Sequence, residues 1–199
     1  MNFFMDISNA IAGWASGGPA KVAVLASALE GTVSGSSVAN TVGSGSFTIP
    51  MMKRLGYRAE FAGAVEAAAS TGGQIMPPVM GAAAFLMAEF IGVPYVEIAK
   101  AAVIPALLYF TGIWVVVHFE AKKCGLKGLS RAELPNLWHV LKKDSHLILP
   151  LVAIIYLLVE GFTPMRAALG GLGLCIVVGT FRKATRLNLT KLLNTLEAG

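Results

Sequence analysis

Apolar runs occupy most of this chain, and several are interrupted midway by small or helix-breaking residues instead of being closed by charge. From Pro19, a favourable first helical residue, KVAVLASALE runs apolar for about a dozen residues, roughly 18 Å at the α-helical rise and about half a bilayer core. Gly31 to Ser46, GTVSGSSVANTVGSGS, follows without charge, and twelve of its sixteen residues are Gly, Ser, Thr or Ala. Its four glycines disfavour continuous helix, while the hydroxyls and the Asn40 amide offer oxygen ligands at close spacing. In hydrocarbon, irregular backbone is tolerated where protein buries it or water bathes it, which predicts a re-entrant turn. A small-residue helix-packing seam is the alternative on composition alone. SFTIPMMKRLGYR then returns to Lys53, Arg54 and Arg58. Two half-length arms with a polar tip and a basic mouth predict a helical hairpin over 19–57.

The next run, 58–92, is long enough to span, but Thr71-Gly72-Gly73-Gln74 and Pro77-Pro78 interrupt its middle. Proline removes a helical hydrogen bond and paired glycines free the backbone, so a broken helix is expected, with a ligand-free proline kink as the alternative. Discontinuous helices at mid-membrane point uncapped groups and dipole ends at ions or substrate. Ala101–Phe119 carries nineteen residues without formal charge and predicts a transmembrane helix within 93–120. His118 at its end reads as interfacial. Residues 121–146 form a basic loop, 147–182 two short transmembrane helices joined by Glu160–Arg166, and 183–199 the start of an amphipathic arm. At the other end, Phe3, Phe4, Ile7, Ile11 and Trp14 give residues 1–18 the pattern of an interfacial helix.

Composition changes this picture only by firming it. With 55% hydrophobic and 14% charged residues, the 199-residue chain is an all-α integral membrane protein. The +5 net charge sits mainly between apolar runs and lacks a nucleic-acid-binding motif, so positive-inside bias accounts for it. If the hairpin mouth is cytoplasmic, the basic clusters fall on one side of the membrane, leaving Lys100 and Arg166 outside. Cys124 and Cys175 form no disulfide or metal pattern and read as free thiols. The start carries Asp6 and no basic n-region, unlike a signal peptide. An intramembrane serine hydrolase is disfavoured, because the G-x-S-x-G elbow is absent. A non-transporting helix-packing or assembly subunit remains the rival to a transporter.

The segments SALEGTVSGSSVANTVGSGSFTIPMMKRLGY and AGAVEAAASTGGQIMPPVMGAAAFLMAEF resemble the large membrane subunit of tripartite ATP-independent periplasmic (TRAP) transporters. Within that family the chain looks like the fused permeases that work with TAXI-type solute-binding proteins. The resemblance extends to IPALLYF and the closing LNLTKLLNTLEAG. It implies half of an inverted-repeat, elevator-type secondary transporter: a re-entrant hairpin, a broken helix and about three further transmembrane helices. It also implies a permease of the bacterial or archaeal inner membrane, not an enzyme. Sodium would be the coupling ion, with no other cofactor. The solute would be a small organic anion such as a C4-dicarboxylate, delivered by a periplasmic binding protein with a small membrane subunit fused to the permease.

By motif, the resemblance assigns Ser34, Gly35, Ser36, Ser37, Asn40, Thr71, Gly72 and Gly73 to a sodium and substrate site, with Ser36, Ser37, Asn40 and Gly72 as sodium ligands. Gln74 and Pro77-Pro78 belong to the same break without a ligand role. Glu30 departs from the family by standing where an apolar residue is expected, whereas Glu66 fits the pattern and is expected to fix helix packing. No second Gly/Ser tip follows residue 100. The expectation is therefore an internal piece of a longer permease or a truncated reading frame.

Overall fold

The computed structural model of the chain describes residues 2–126, 128, 134–144 and 148–181. Every helix among them is α-helical except one short 3-10 turn, and the chain divides into two compact units, residues 1–143 and 144–199. Lys127 and Arg131 of the basic loop and the arm at 183–199 lie outside the described residues.

In the first unit, α1 (Asn2–Ala12) packs on α2 (Gly18–Ser34). Phe3 and Ala12 are buried, while Ile11 and Trp14 are exposed. α2 is buried along most of its length and holds Pro19 in its first turn. It is longer than the apolar run suggests, because Gly31, Thr32, Val33 and Ser34 continue the helix. The stretch 31–46 was expected to be largely irregular, and here the structure corrects the expectation. Only Gly35 and Ser36 interrupt it before α3 (Ser37–Gly43) and α4 (Gly45–Arg54) carry the chain back. The intrinsic cost of a helical glycine is about 1 kcal/mol. At Gly31 that cost is offset by close helix packing that a side chain would prevent. Ser44 joins α3 to α4 in right-handed helical geometry, its N–H bonding the Asn40 carbonyl at 2.8 Å.

α5 (Ala59–Gly72) runs into the 3-10 turn Gly73–Ile75, and helix resumes as α6 (Ala82–Ile91). The bond from Gly81 N–H to the Gln74 carbonyl, 2.7 Å, closes the break. The Tyr95 hydroxyl faces the Pro78 carbonyl at 3.0 Å and the Val79 carbonyl. α7 (Tyr95–Lys123) has 29 residues and extends the 101–119 core by more than a turn at its N-terminus. Among the described residues it is the helix whose length and hydropathy suffice to cross a membrane, and it exposes Ile104, Leu107, Leu108 and Phe119. The core of the unit is where α2, α4, α5 and α7 meet, built from Ala20, Ala23, Val24, Met52, Ala62, Val65, Ala69, Val117 and Ala121. Alanine at so many of these positions lets the backbones approach closely, as helices in lipid require.

α8 (Leu137–Asp144) falls at the division between the units. The second unit pairs α9 (Leu149–Val159) with α10 (Pro164–Phe181). A Cβ on Gly170 would sit 2.7 Å from Leu157 Cδ1 and one on Gly171 2.5 Å from Ile154 Cγ1, so these glycines set the closeness of the pair. At 11 residues, α9 is short of the roughly 20 that cross a bilayer core.

Candidate ion and solute site

Gly31 on α2 and Gly73 in the break lie against each other. A Cβ on Gly73 would come within 2.9 Å of Gly31 Cα, and one on Gly31 would collide with Gly73 Cα. The hairpin and the broken helix are thereby pressed together one turn below the tip. Gly35 then ends α2 with φ 58°, its N–H returning to the Gly31 carbonyl at 3.2 Å. That left-handed geometry suits glycine, and a Cβ there would also run into the Met80 carbonyl. Met80 is buried and itself adopts φ 53°, unusual for a residue with a side chain. Tip and break are therefore fitted backbone to backbone.

Asn40, one turn into the returning arm, is 2% exposed. Its Oδ1 accepts from the Ser34 hydroxyl, and its Nδ2 reaches the Ser27 carbonyl at 3.5 Å. A Cβ on Gly73 would lie 2.8 Å from that nitrogen, so the amide nitrogen faces the break and the oxygen faces Ser34. Ser36 Oγ caps α3 by accepting from Ala39 N–H at 3.2 Å. Ser37 Oγ accepts from Gln74 Nε2 at 2.8 Å, a direct tie from the tip to the break.

Ser34, Gly35, Ser37, Asn40 and Gly73 are thus brought together at the tip and break, with Ser36 holding the start of α3. The Thr71 hydroxyl and the Cβ direction of Gly72 point elsewhere. The Thr71 hydroxyl is exposed and donates along its own helix to the Ala67 carbonyl at 2.8 Å. A Cβ on Gly72 would sit 2.5 Å from Tyr109 Cε1 and 2.9 Å from Phe110 Cζ, so that glycine lets α7 close on α5. Gln74, which sequence reasoning left without a role, is the residue that joins the two elements.

A second feature, less visible in the sequence, lies deeper. Glu66 on α5 is fully buried. Its Oε1 accepts from Ser27 at 3.2 Å, Ser70 at 3.1 Å and Ser44, and its Oε2 accepts from Thr48. Four hydroxyls from α2, the returning arm and α5 thus converge on one acidic side chain, the satisfaction a buried polar group requires. The available signal was hydroxyls and acid at i,i+4 spacing in apolar helices: Ser44 with Thr48, and Glu66 with Ser70. Glu66 holds both arms of the hairpin to the first half of the broken helix.

A cavity of about 870 Å³ opens beside the tip, walled by Ser34–Ser36, Gln74, Val79–Gly81, the first turn of α6 and Ala101, Ala102 and Pro105 of α7. Its size is that of small-molecule sites, mostly apolar with a few polar groups. Among the described residues no three His, Cys, Asp or Glu side chains converge. The ligands available at the tip are hydroxyl, amide and carbonyl oxygens, a set suited to a hard monovalent cation.

The sequence matches the family described as tripartite ATP-independent periplasmic transporter, DctM component, over residues 1–199. It is 33% identical over 165 residues to a C4-dicarboxylate TRAP transporter large permease of Pseudomonas aeruginosa, covering 82% of this chain and 38% of the relative. It is 29% identical over 164 residues to a sialic acid TRAP transporter large permease of Vibrio cholerae, covering 82% and 38%. With a putative TRAP large permease of Haemophilus influenzae the identity is 26% over 178 residues, 89% of this chain and 41% of the relative. The chain thus spans about two fifths of the length of the curated relatives it matches. The family is that of a transporter component, not an enzyme, and by its sequence this chain belongs to the DctM family.

Proposed function

We propose that this chain forms part of a permease for sodium-coupled uptake of small organic anions across a bacterial inner membrane. The observation that carries this reading is Asn40, buried between hairpin tip and helix break where Gly31 and Gly73 meet. Sodium is coordinated by oxygens around Asn40, Ser36 and Ser37 and by carbonyls of the break at Gly72 and Gly73. The solute occupies the adjoining cavity. Among the described residues lining that cavity there is no Lys or Arg. The positive end of the α6 dipole, whose first turn lines the wall, and the bound sodium supply the attraction for an anion.

Two relatives, a C4-dicarboxylate permease and a sialic acid permease, are named for carboxylate solutes, which supports a carboxylate here. A periplasmic solute-binding protein of the TAXI type delivers the solute, and a small membrane subunit completes the assembly. A packing or assembly subunit is the second reading, favoured by the same close approach of two glycines.

Thermal unfolding in detergent, in sodium and in potassium at matched ionic strength, separates the two readings. A sodium site gives a sodium-specific rise in midpoint that Asn40→Leu removes. If the rise is unchanged in the variant, or if wild type shows none, the ion-site reading fails.

A further inference from the structure

Among the described residues of the hairpin unit two carboxylates are buried, and they differ in how fully their oxygens are satisfied. Glu66 is surrounded by hydroxyl donors and has no need of a further partner. Glu30, on α2 one turn before the tip, is 8% exposed, and among the described residues its Oε1 has no hydrogen-bond partner. An ionised oxygen held away from water without a donor is strongly unfavourable, so such a group calls for a ligand or a proton.

Glu30 borders a cavity of about 230 Å³, walled by Phe4, Val33, Ser34, Ala39 and Asn40. The share of liquid volume per water molecule is about 30 Å³, so this space accommodates an ion with part of its hydration shell. Two further oxygens belong to the same wall. Ser34 Oγ gives its proton to Asn40 Oδ1 and accepts only a long 3.4 Å contact from Ser36 N–H, which leaves lone pairs on both oxygens. The orientation of Asn40 adds a direction: its nitrogen is turned toward Gly73 and Ser27, and its oxygen toward Ser34, which also lines this cavity. Glu30, Ser34 and Asn40 therefore line one small, largely apolar space, and a carboxylate, a hydroxyl and an amide oxygen together attract a hard, singly charged cation.

We propose that Glu30, Ser34 and Asn40 form a binding site for a sodium-sized monovalent cation on the α1 side of the hairpin, distinct from the oxygens that face the break. The site shares Asn40 with the coupling-ion site and rests on that reading only in taking sodium as the ion. Phe4 of α1 forms one wall of it.

The test is thermal unfolding of the purified chain titrated with sodium chloride, with choline chloride holding ionic strength constant and potassium as the comparison ion. Glu30→Gln, close to isosteric, removes the charge on the α1 side, and Ser37→Ala removes a hydroxyl on the break side. The expectation for Glu30→Gln is at least a tenfold increase in the sodium needed for half the midpoint rise. Loss in Glu30→Gln with retention in Ser37→Ala supports this site and counts against the tip site. The reverse pattern overturns the Glu30 site and leaves the tip site standing. An unchanged sodium midpoint in Glu30→Gln, with stability altered equally in all salts, identifies Glu30 as a neutral acid and overturns the proposal. A wild type with no sodium response overturns both sites. Should Glu30→Gln fail to fold, Phe4→Trp tests the same cavity with Glu30 intact. Its added emission should shift with sodium and not with potassium, and the absence of any shift refutes the site.

Discussion

Gly31 and Gly73 meet with no side chain between them, the Gly73 Cβ direction ending 2.9 Å from the Gly31 Cα. This is the point at which hairpin and broken helix become one structural element. Neither backbone can retreat freely, because Gly31 lies in the helix that Gly35 terminates and Gly73 begins the 3-10 turn.

Gly73→Ala is therefore expected to destabilise the chain by about 1–3 kcal/mol, the usual cost of overpacking a site that cannot give. Gly63 provides the control. It lies in α5 with nothing near its Cβ direction. Gly63→Ala should be neutral or stabilise by up to about 1 kcal/mol through helix propensity. Unfolding midpoints of the two variants in one detergent decide the matter, and equal effects would mean that the close approach carries no weight.

Glu66 makes a graded prediction. Glu66→Ala removes the acceptor shared by the hydroxyls of Ser27, Ser44, Thr48 and Ser70 and opens a cavity, so a loss of about 3–5 kcal/mol is expected. Glu66→Gln retains the volume and one acceptor and should cost less. Ser70→Ala removes one donor of four, for about 1 kcal/mol. A denaturation series that fails to rank the three in that order would show that the carboxylate is not the centre of the packing.

The two interruptions were legible because clusters of Gly, Ser and Pro disfavour continuous helix inside apolar runs. Their extent was not, since composition alone predicts an irregular 31–46 while Gly31–Ser34 and Ser37–Gly43 are helical. Tertiary contact decided it: Gly31 is a place for Gly73 to pack, and a glycine used that way stays in the helix. The roles of Gly72 and Gly73 could not be separated either, because neighbouring helical residues differ by about 100° in direction and only the fold says which faces Asn40. The one set against Tyr109 serves packing, and the one set against Gly31 serves the tip. The Glu66 cluster was half legible. Its i,i+4 pairs lie open in the sequence, but Ser27 joins them from another helix.

Cys124 tests the topology. It follows α7 directly, is exposed, and borders the basic loop that positive-inside bias assigns to the cytoplasm. A membrane-impermeant thiol reagent should miss it in intact cells and modify it in inside-out vesicles, with Cys175→Ser as background. Ready modification in intact cells would place the loop outside and reverse the hairpin mouth.

Tyr95 supports the break from the far side. Its ring is 9% exposed and stacks on Phe85 with centroids 4.5 Å apart, while its hydroxyl is shared between the carbonyls of Pro78 and Val79. Those carbonyls belong to the segment between Ile75 and α6, where no helical ladder can engage them. Tyr95→Phe keeps the ring and the stacking and removes the bond, so the expected loss is about 1 kcal/mol of stability. That loss should be local. Hydrogen exchange should quicken at Met80 and Gly81, whose backbone is fitted to Gly35 and Gln74, while the amides of α2 and α5 keep wild-type protection, because their packing rests on Glu66 and the alanine core. Uniformly faster exchange across the unit would mean that Tyr95 supports the whole fold. Unchanged exchange at 80–81 would mean that the break holds its shape without it.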